Sequence, residues 1–212
     1  MFAIQRVEIR GGDPATAAAV RRALAPLDGT SLLALGAGEV ERRAQALPSV
    51  VSVSYDRAFP HTLRVTVVEE RPVAVLHRGN DLFLISARAR VIRPLTANAL
   101  LNLPRIWVAR STDATLGATL AGDPGAAVAA LVPLQRLRFP VPVATAESSD
   151  GQLALRLRSG LEIRLGDAHD LPLKLSVARQ IAPTIAPGSG TYLDVSVPER
   201  PVAGGDNLQV SG

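Results

Sequence analysis

The stretch Ser49–Val73, SVVSVSYDRAFPHTLRVTVVEERPV, decides the fold of the first part of the chain. Apolar and polar residues alternate over residues 51–56 and again over residues 63–67, and many of the apolar ones are β-branched. This period of two is typical of strands that bury one face. The intervening segment, residues 57–61, is short and contains a proline that stiffens it. The stretch therefore predicts an antiparallel hairpin.

Upstream of the hairpin, the pattern predicts one strand and two helices. The strand begins near Ile4, and Asp13-Pro14 then supplies an N-cap residue and a proline at the first helical position. A second helix is predicted near Glu39–Leu47, and Pro48 closes it. The resulting order, β-α-α-β-β, favours a mixed sheet with two helices on one face.

Downstream of the hairpin, the sequence predicts a larger set of mainly antiparallel strands. Leu82–Ile85 and Val91-Ile92 are expected to pair as a hairpin, and Ile106–Val108 is a further strand. Residues 141–165 contain three apolar runs separated by short turns, which predicts a three-stranded meander ending at Gly166.

Two helices are expected to flank these strands. Asp123-Pro124 repeats the cap-and-proline start, and the helix continues to Leu137, with Pro133 expected to kink or split it. Asp170 is expected to cap the second helix. The chain then turns into a final strand, Tyr192–Val197.

The composition excludes several classes of protein. The 212 residues are 47% hydrophobic, which excludes a disordered chain, and the scarcity of aromatics, 3%, implies an aliphatic core. The formal net charge of +4 is modest and spread along the chain, unlike the basic stripe of a nucleic-acid binder. The chain has no cysteine, so disulfides and thiol chemistry are excluded. It also has no run of about 18 apolar residues of the kind that spans a membrane.

These features together resemble the extracytoplasmic region of the FtsQ/DivIB family of bacterial cell-division proteins. Near the C-terminus, the pattern L-D-V-x-V-P at Leu193–Pro198 and an L-G followed by K-L at Leu165-Gly166 and Lys174-Leu175 match the family. Phe59 stands where the family often has a tryptophan, and the phenylalanine keeps the loop apolar. The hairpin carries most of the resemblance, through Pro48, Val50, Arg57, Pro60, Thr62, Leu63, Val65, Val67, Glu70, Arg71, Pro72, Val73 and Ala74.

The resemblance implies an α+β fold in two domains. An N-terminal β-α-α-β-β POTRA domain is expected over residues 1–73, followed by a larger, mainly antiparallel β domain with two flanking helices over residues 74–203. Residues 204–212, rich in glycine and polar residues, are expected to form a disordered tail. The junction has no flexible linker, which favours a rigid connection.

The resemblance also implies a function and a location. It implies a non-enzymatic scaffold of the bacterial division machinery that binds FtsB- and FtsL-like proteins and, through them, the septal peptidoglycan synthase. The full-length protein is expected in the inner membrane at the division site, held by one transmembrane helix that this chain lacks. The fragment itself is then extracytoplasmic.

The final strand is the predicted partner-binding site. An edge strand offers unpaired backbone donors and acceptors to an incoming peptide, and the resemblance implies that FtsB docks here. A charged residue or proline at Val195 is expected to abolish binding while leaving the fold intact. The alternative is an internal core strand that the chain's own tail covers. The predicted partner-binding residues are Tyr192, Leu193, Asp194, Val195, Ser196 and Val197.

The sequence predicts no catalytic residues, no cofactor site and no metal site. None of His61, His77 and His169 has a second histidine at metal-binding spacing. Glu69 and Glu70 are adjacent on a strand, so their side chains point to opposite faces.

Two rival functions remain open. One is a POTRA-containing chaperone of outer-membrane assembly or secretion, although that class usually carries tandem copies and this chain shows one. The other is an enzyme acting on cell-wall polymer, which the missing catalytic constellation disfavours.

Overall fold

The computed structural model describes residues 2–36, 38–96, 102–186 and 190–205. Contacts divide the chain into two compact units, Met1–Arg71 and Pro72–Gly212. Each unit has its own hydrophobic core. Among the helices of the described residues, none has the length and apolarity needed to cross a membrane.

The first unit has the expected element order β-α-α-β-β. Its three strands form one sheet in the order β1-β3-β2, with β1 parallel and β2 antiparallel to β3. A short 3-10 helix, Ala25–Leu27, follows the first α-helix. The elements are β1 Arg6–Arg10, α1 Pro14–Leu24, α2 Glu39–Gln45, β2 Val50–Ala58 and β3 Thr62–Glu69.

Local sequence signals account for these elements. The carboxylate of Asp13 accepts a hydrogen bond from the backbone N–H of Thr16 at 2.6 Å, so this residue caps α1 as predicted. The apolar positions of the alternating stretch, such as Leu63 and Val65 in β3, are fully buried and pack with Val20 and Leu24 of α1. The apolar residues of the strands, spaced by two, thus pack in one small core with those of the helices, spaced by about 3.6.

The second unit is built on a nine-stranded sheet in the order β12-β11-β10-β9-β8-β7-β4-β5-β6. Five of the eight pairings are antiparallel, whereas β4–β7, β7–β8 and β10–β11 are parallel. The strands are β4 Pro72–Arg78, β5 Asp81–Ser86, β6 Val91–Leu95, β7 Arg105–Val108, β8 Val143–Ser149, β9 Gln152–Leu157, β10 Glu162–Gly166, β11 Tyr192–Asp194 and β12 Val202–Gly204. The α+β class and the mainly antiparallel sheet are as expected.

Helices α3 Gly122–Leu131, α4 Leu134–Leu137 and α5 Leu171–Ile181 pack on this sheet. Proline at 133 splits the first predicted helix into α3 and α4, because a helix interior cannot accommodate a residue without an N–H. A 3-10 helix, Ala182–Thr184, extends α5. The core gathers apolar residues of the strands with those of α3 and α5, including Val128, Leu155, Ile163, Leu175 and Leu193.

The two predicted helix caps of this unit differ in outcome: Asp123 is not the N-cap residue of its helix, whereas Asp170 is. Asp123 lies inside α3, one residue after its start, and its carboxylate binds the β8–β9 turn through Ser148 Oγ at 2.6 Å and the Gly151 N–H at 3.1 Å. Asp170 does precede α5, but its side chain makes no capping hydrogen bond and its backbone is left-handed. The aspartates near the starts of α1, α3 and α5 therefore make different contacts, although each is followed within two residues by a proline.

The C-terminal end of the chain also differs from the prediction. The last residues of the predicted tail, 206–212, lie outside the described residues. Gly204, where the tail was expected to begin, is the final residue of β12. Residues 187–189, in the turn expected to lead into the final strand, also lie outside the described residues.

Candidate partner-docking edge

The strand predicted to bind a partner is not at the edge of the sheet. β11 pairs in parallel with β10, with Ile163 opposite Leu193, and on its other side it pairs antiparallel with β12, with Leu193 opposite Ala203. Its backbone is therefore occupied on both sides. The edge prediction for Tyr192–Val197 is wrong. The outermost strand is β12, which consists of the three residues Val202–Gly204 and lies later in the sequence.

The buried face of this segment anchors it to the core. Leu193 and Val195 are 1% and 0% exposed, and the Val195 N–H donates to the carbonyl oxygen of Arg164 at 2.9 Å. A charge at Val195 would be buried without a partner, and a proline would remove this hydrogen bond. The expectation that such a substitution spares the fold is therefore wrong.

The remaining predicted residues lie away from the core. Tyr192 and Asp194 are half-buried, and Asp194 Oδ1 accepts hydrogen bonds from the N–H of Ser196 at 2.9 Å and from its hydroxyl at 2.6 Å. This Asx-type turn ends β11. Val197 follows it and is 52% exposed. The predicted set therefore divides into buried anchors and accessible residues.

A ladder of charged side chains supports β11 from the neighbouring strands. The guanidinium carbon of Arg164 lies 3.9 Å from the ring centroid of Tyr192, which is cation–π geometry. Arg164 Nε is also 2.8 Å from Glu162 Oε1, and Arg156 Nη2 is 3.1 Å from Glu162 Oε2. The hydrogen bond to Glu162 raises the pKa of Arg164 above its ordinary value. The tyrosine ring is thus held on the open face of the sheet.

The true edge strand, β12, rests against that ring. A Cβ added at Gly204 would lie 2.5 Å from Cζ of Tyr192, so glycine permits the close approach of this strand. Val202 is 55% exposed. Among the described residues no strand pairs with the outer side of β12. Backbone groups that point outward from such an edge are free to pair with another chain.

The opposite edge of the same sheet is more protected. β6 contains Pro94, which has no N–H to offer. At Val91 the outer side of β6 is already paired, because its N–H donates to Ala118 and its carbonyl oxygen accepts from Gly117. The C-terminal edge is therefore the more accessible of the two for strand addition.

The ionisable residues singled out in the sequence are scattered. His61 Nδ1 lies 3.1 Å from the carbonyl oxygen of Ala3, and His77 stacks on Trp107. In the Asp167–Asp170 segment, Asp167 pairs with buried Lys174. Within the described part of the chain, no group of three or more histidine, aspartate or glutamate side chains could hold a metal ion.

Comparison with known proteins gives a family match for the first unit. A family model described as "POTRA domain, FtsQ-type" matches residues 2–70. This range covers all five elements of the first unit, β1 to β3 with the two helices.

Three relatives share the same name, "Cell division protein FtsQ". The protein from Rhizobium meliloti is 33% identical over 118 residues, which are 55% of this chain and 38% of the relative. The protein from Agrobacterium fabrum is 34% identical over 118 residues, covering 55% and 36%. The one from Rhizobium radiobacter is 37% identical over 93 residues, covering 43% of each. The matched stretch thus spans less than half of each relative.

The range of the POTRA match agrees with the bounds of the first unit, Met1–Arg71. The first unit is therefore similar to the FtsQ-type POTRA domain, and the chain is similar to part of proteins named cell division protein FtsQ.

Proposed function

We propose that this chain is a non-enzymatic scaffold of bacterial cell division that receives a strand from a partner at the outer side of β12. The partner proposed is an FtsB-like protein, together with an FtsL-like protein, which would connect the scaffold to septal peptidoglycan synthesis. One observation supports the proposal above others. Val202–Gly204 is the outermost strand of a nine-stranded sheet, and none of the described residues pairs with its outer side.

The surroundings of β12 suit strand addition. The main-chain groups of an edge supply the affinity, and exposed side chains beside it supply selectivity. Val197 lies in the β11–β12 connection and Val202 begins β12; each is more than half exposed and offers apolar contacts to an incoming strand. Tyr192, which pairs with Gly204 of β12, is held by Arg164, so this part of the surface is formed before the partner arrives.

The predicted residues keep a supporting role in this proposal. Leu193 and Val195 hold β11 in the core, and Tyr192 supports Gly204. The proposal also places the whole protein in the inner membrane at the division site, with both units outside the cytoplasm. This location is proposed from the family and from the relatives' printed name. A fluorescent fusion of the full-length protein should accumulate at the septum.

The docking proposal is tested by a matched pair of substitutions. Val202→Glu places a charge on the edge strand, whereas Val68→Glu places the same charge on β3 of the first unit, at a valine of similar exposure, 52% against 55%. Both variants should keep the wild-type melting temperature, because both side chains are in solvent. In calorimetric titration with an FtsB-like ectodomain, Val202→Glu should weaken binding at least about tenfold, since an edge charge opposes strand pairing.

Hydrogen exchange gives the second readout. Among residues 202–204, the amides that point away from β11 should become protected when the partner binds, because strand addition converts free N–H groups into ladder hydrogen bonds. Wild-type affinity of Val202→Glu, or partner binding without added protection at these amides, would refute docking at β12.

A further inference from the structure

Trp107 is the only tryptophan of the chain, and its side chain is 57% exposed. It lies on β7, which is an interior strand between β4 and β8. Its neighbour Ile106 is buried in the core with the helices, so the alternation of the strand directs Trp107 to the opposite, open face. A single exposed apolar residue needs no explanation, but the surroundings of this one are unusual.

The indole is held in a fixed position by His77. The two residues are paired in register on the parallel strands β4 and β7, and their ring centroids are 4.0 Å apart with 32° between the planes. Partial burial lowers the pKa of His77, and the positive charge of Arg105 lowers it further. The imidazole is therefore uncharged at neutral pH, and the pair is a neutral aromatic stack.

A crevice opens beside this stack because β7 and β8 separate. The two strands are joined in register at one residue pair only, Arg105 opposite Thr145, although β8 continues to Ser149. Beyond that pair a cavity of about 600 Å³ lies between the strand ends, within the range of roughly 300–1,000 Å³ typical of small-molecule clefts. Residues that line it include Trp107, Val108, Thr112, Asp123, Glu147 and Ser149.

The polar groups that line the crevice differ in whether they already have hydrogen-bond partners. Asp123 is committed to the β8–β9 turn through Ser148 and Gly151. Glu147 is exposed, and its only recorded contact is a weak one, 3.4 Å from the Thr145 hydroxyl. The hydroxyls of Thr112 and Ser149 can donate or accept. The rim thus offers donors and acceptors next to an aromatic face.

We propose that this crevice binds a chain of β-linked pyranose sugars, with one ring stacked on Trp107. Such a ring has an apolar C–H face, which suits the indole, and a rim of hydroxyl groups, which suits Glu147, Thr112 and Ser149. The lining is mixed, because apolar residues such as Ile106, Val108 and Ala127 stand beside the polar ones, and a pyranose ring presents both kinds of surface. None of the other large hydrophobic residues exposed in the described ranges lines the crevice.

Because the chain has one tryptophan, its fluorescence reports on this site directly. Tetramers of β-1,4-linked N-acetylglucosamine and of β-1,4-linked glucose serve as probes, and they separate recognition of an amino-sugar chain from recognition of a plain glucose chain. A saturable change in tryptophan emission is expected with at least one of them. Calorimetric titration should give the same affinity.

Substitutions locate the binding. Trp107→Ala should abolish the calorimetric signal. Glu147→Gln should weaken binding about tenfold, since a hydrogen bond to a charged group is replaced by a neutral one. Glu199→Gln, at an exposed glutamate outside the crevice, is the matched control and should bind as the wild type does.

Two outcomes would overturn the proposal: no saturable change with either tetramer, or unchanged binding by Trp107→Ala. If neither sugar but a lysine-rich peptide changes the emission, the crevice is a protein-binding surface. Since Val202→Glu alters a different strand, it should bind the tetramer normally, so this inference and docking at β12 fail independently.

Discussion

Nζ of Lys174 lies 2.7 Å from Oδ1 of Asp167 and 3.0 Å from the carbonyl oxygen of the same residue. The lysine side chain is 4% exposed, whereas that of the aspartate is 69% exposed. The pair ties the start of α5 to the segment that directly follows β10. The buried partner is the ammonium group of Lys174. Removing the lysine and removing the aspartate should therefore change the stability of the fold by different amounts.

We expect Asp167→Ala to lower the melting temperature more than Lys174→Met. The first substitution leaves a buried ammonium with one of its two acceptors removed. The second replaces the lysine by an apolar side chain of similar length and leaves a carboxylate that water can solvate. Thermal unfolding followed by circular dichroism measures both. A larger loss for Lys174→Met would contradict this account of the pair.

The same pair predicts a dependence of stability on pH. The hydrogen bond from Lys174 is the main reason why the pKa of Asp167 is lower than its ordinary value. A carboxyl whose pKa is lower in the folded state stabilises the fold above its unfolded-state pKa, roughly 4, and the stabilisation disappears as the pH falls through the folded value. The difference in melting temperature between the wild type and Asp167→Asn should therefore be full at pH 7 and shrink below about pH 4. A difference that is constant from pH 7 to pH 2 would speak against it.

Two valines close together in sequence should respond very differently to truncation. Val195 is fully buried, so Val195→Ala should lower the free energy of unfolding by about 1–3 kcal/mol through lost burial and a residual cavity. Val197 is 52% exposed, and Val197→Ala should change it by less than about 0.5 kcal/mol. Denaturant titration measures both values. Equal effects would mean that β11 does not dock in the core as described.

In the first unit, two glycines with the same backbone conformation offer another controlled comparison. Gly11 and Gly29 have φ angles of +78° and +79°. A Cβ at Gly29 would meet nothing within 4 Å, so Gly29→Ala should cost about 1 kcal/mol from left-handed strain alone.

At Gly11 the same Cβ would overlap the carbonyl oxygen of Val67. The backbone of β3 must then shift, and Gly11→Ala should cost roughly twice as much or more. Equilibrium unfolding of the two variants tests the order. Equal costs would show that the approach of Gly11 to β3 can relax freely.

The alternating stretches of the sequence were sufficient to predict most of the strands. Residues 51–56 and 63–67 became β2 and β3, and the three runs in residues 141–165 became β8, β9 and β10. In each case one face is buried and the other is not, which is the condition under which a period of two appears in a sequence.

The edge strand was missed because it carries no such signal. Val202–Gly204 is three residues long, follows a proline and ends in glycine, so no alternation could be read from it. Its place depends on Tyr192 and on the tight approach of Gly204 to that ring, which are tertiary relations. The stack of His77 on Trp107 joins two residues that are 30 positions apart, and only the parallel register of β4 and β7 brings them together.

The parallel pairing of β10 with β11 has a consequence for the order in which the second unit assembles. Parallel neighbours require a crossover connection, and here α5 lies within it. β11 can reach its place only when that crossover has closed over the sheet, and β12 has nothing to pair with until then. We therefore expect β12 to find its place late in folding, and under the docking proposed above a chain arrested earlier would not bind the partner.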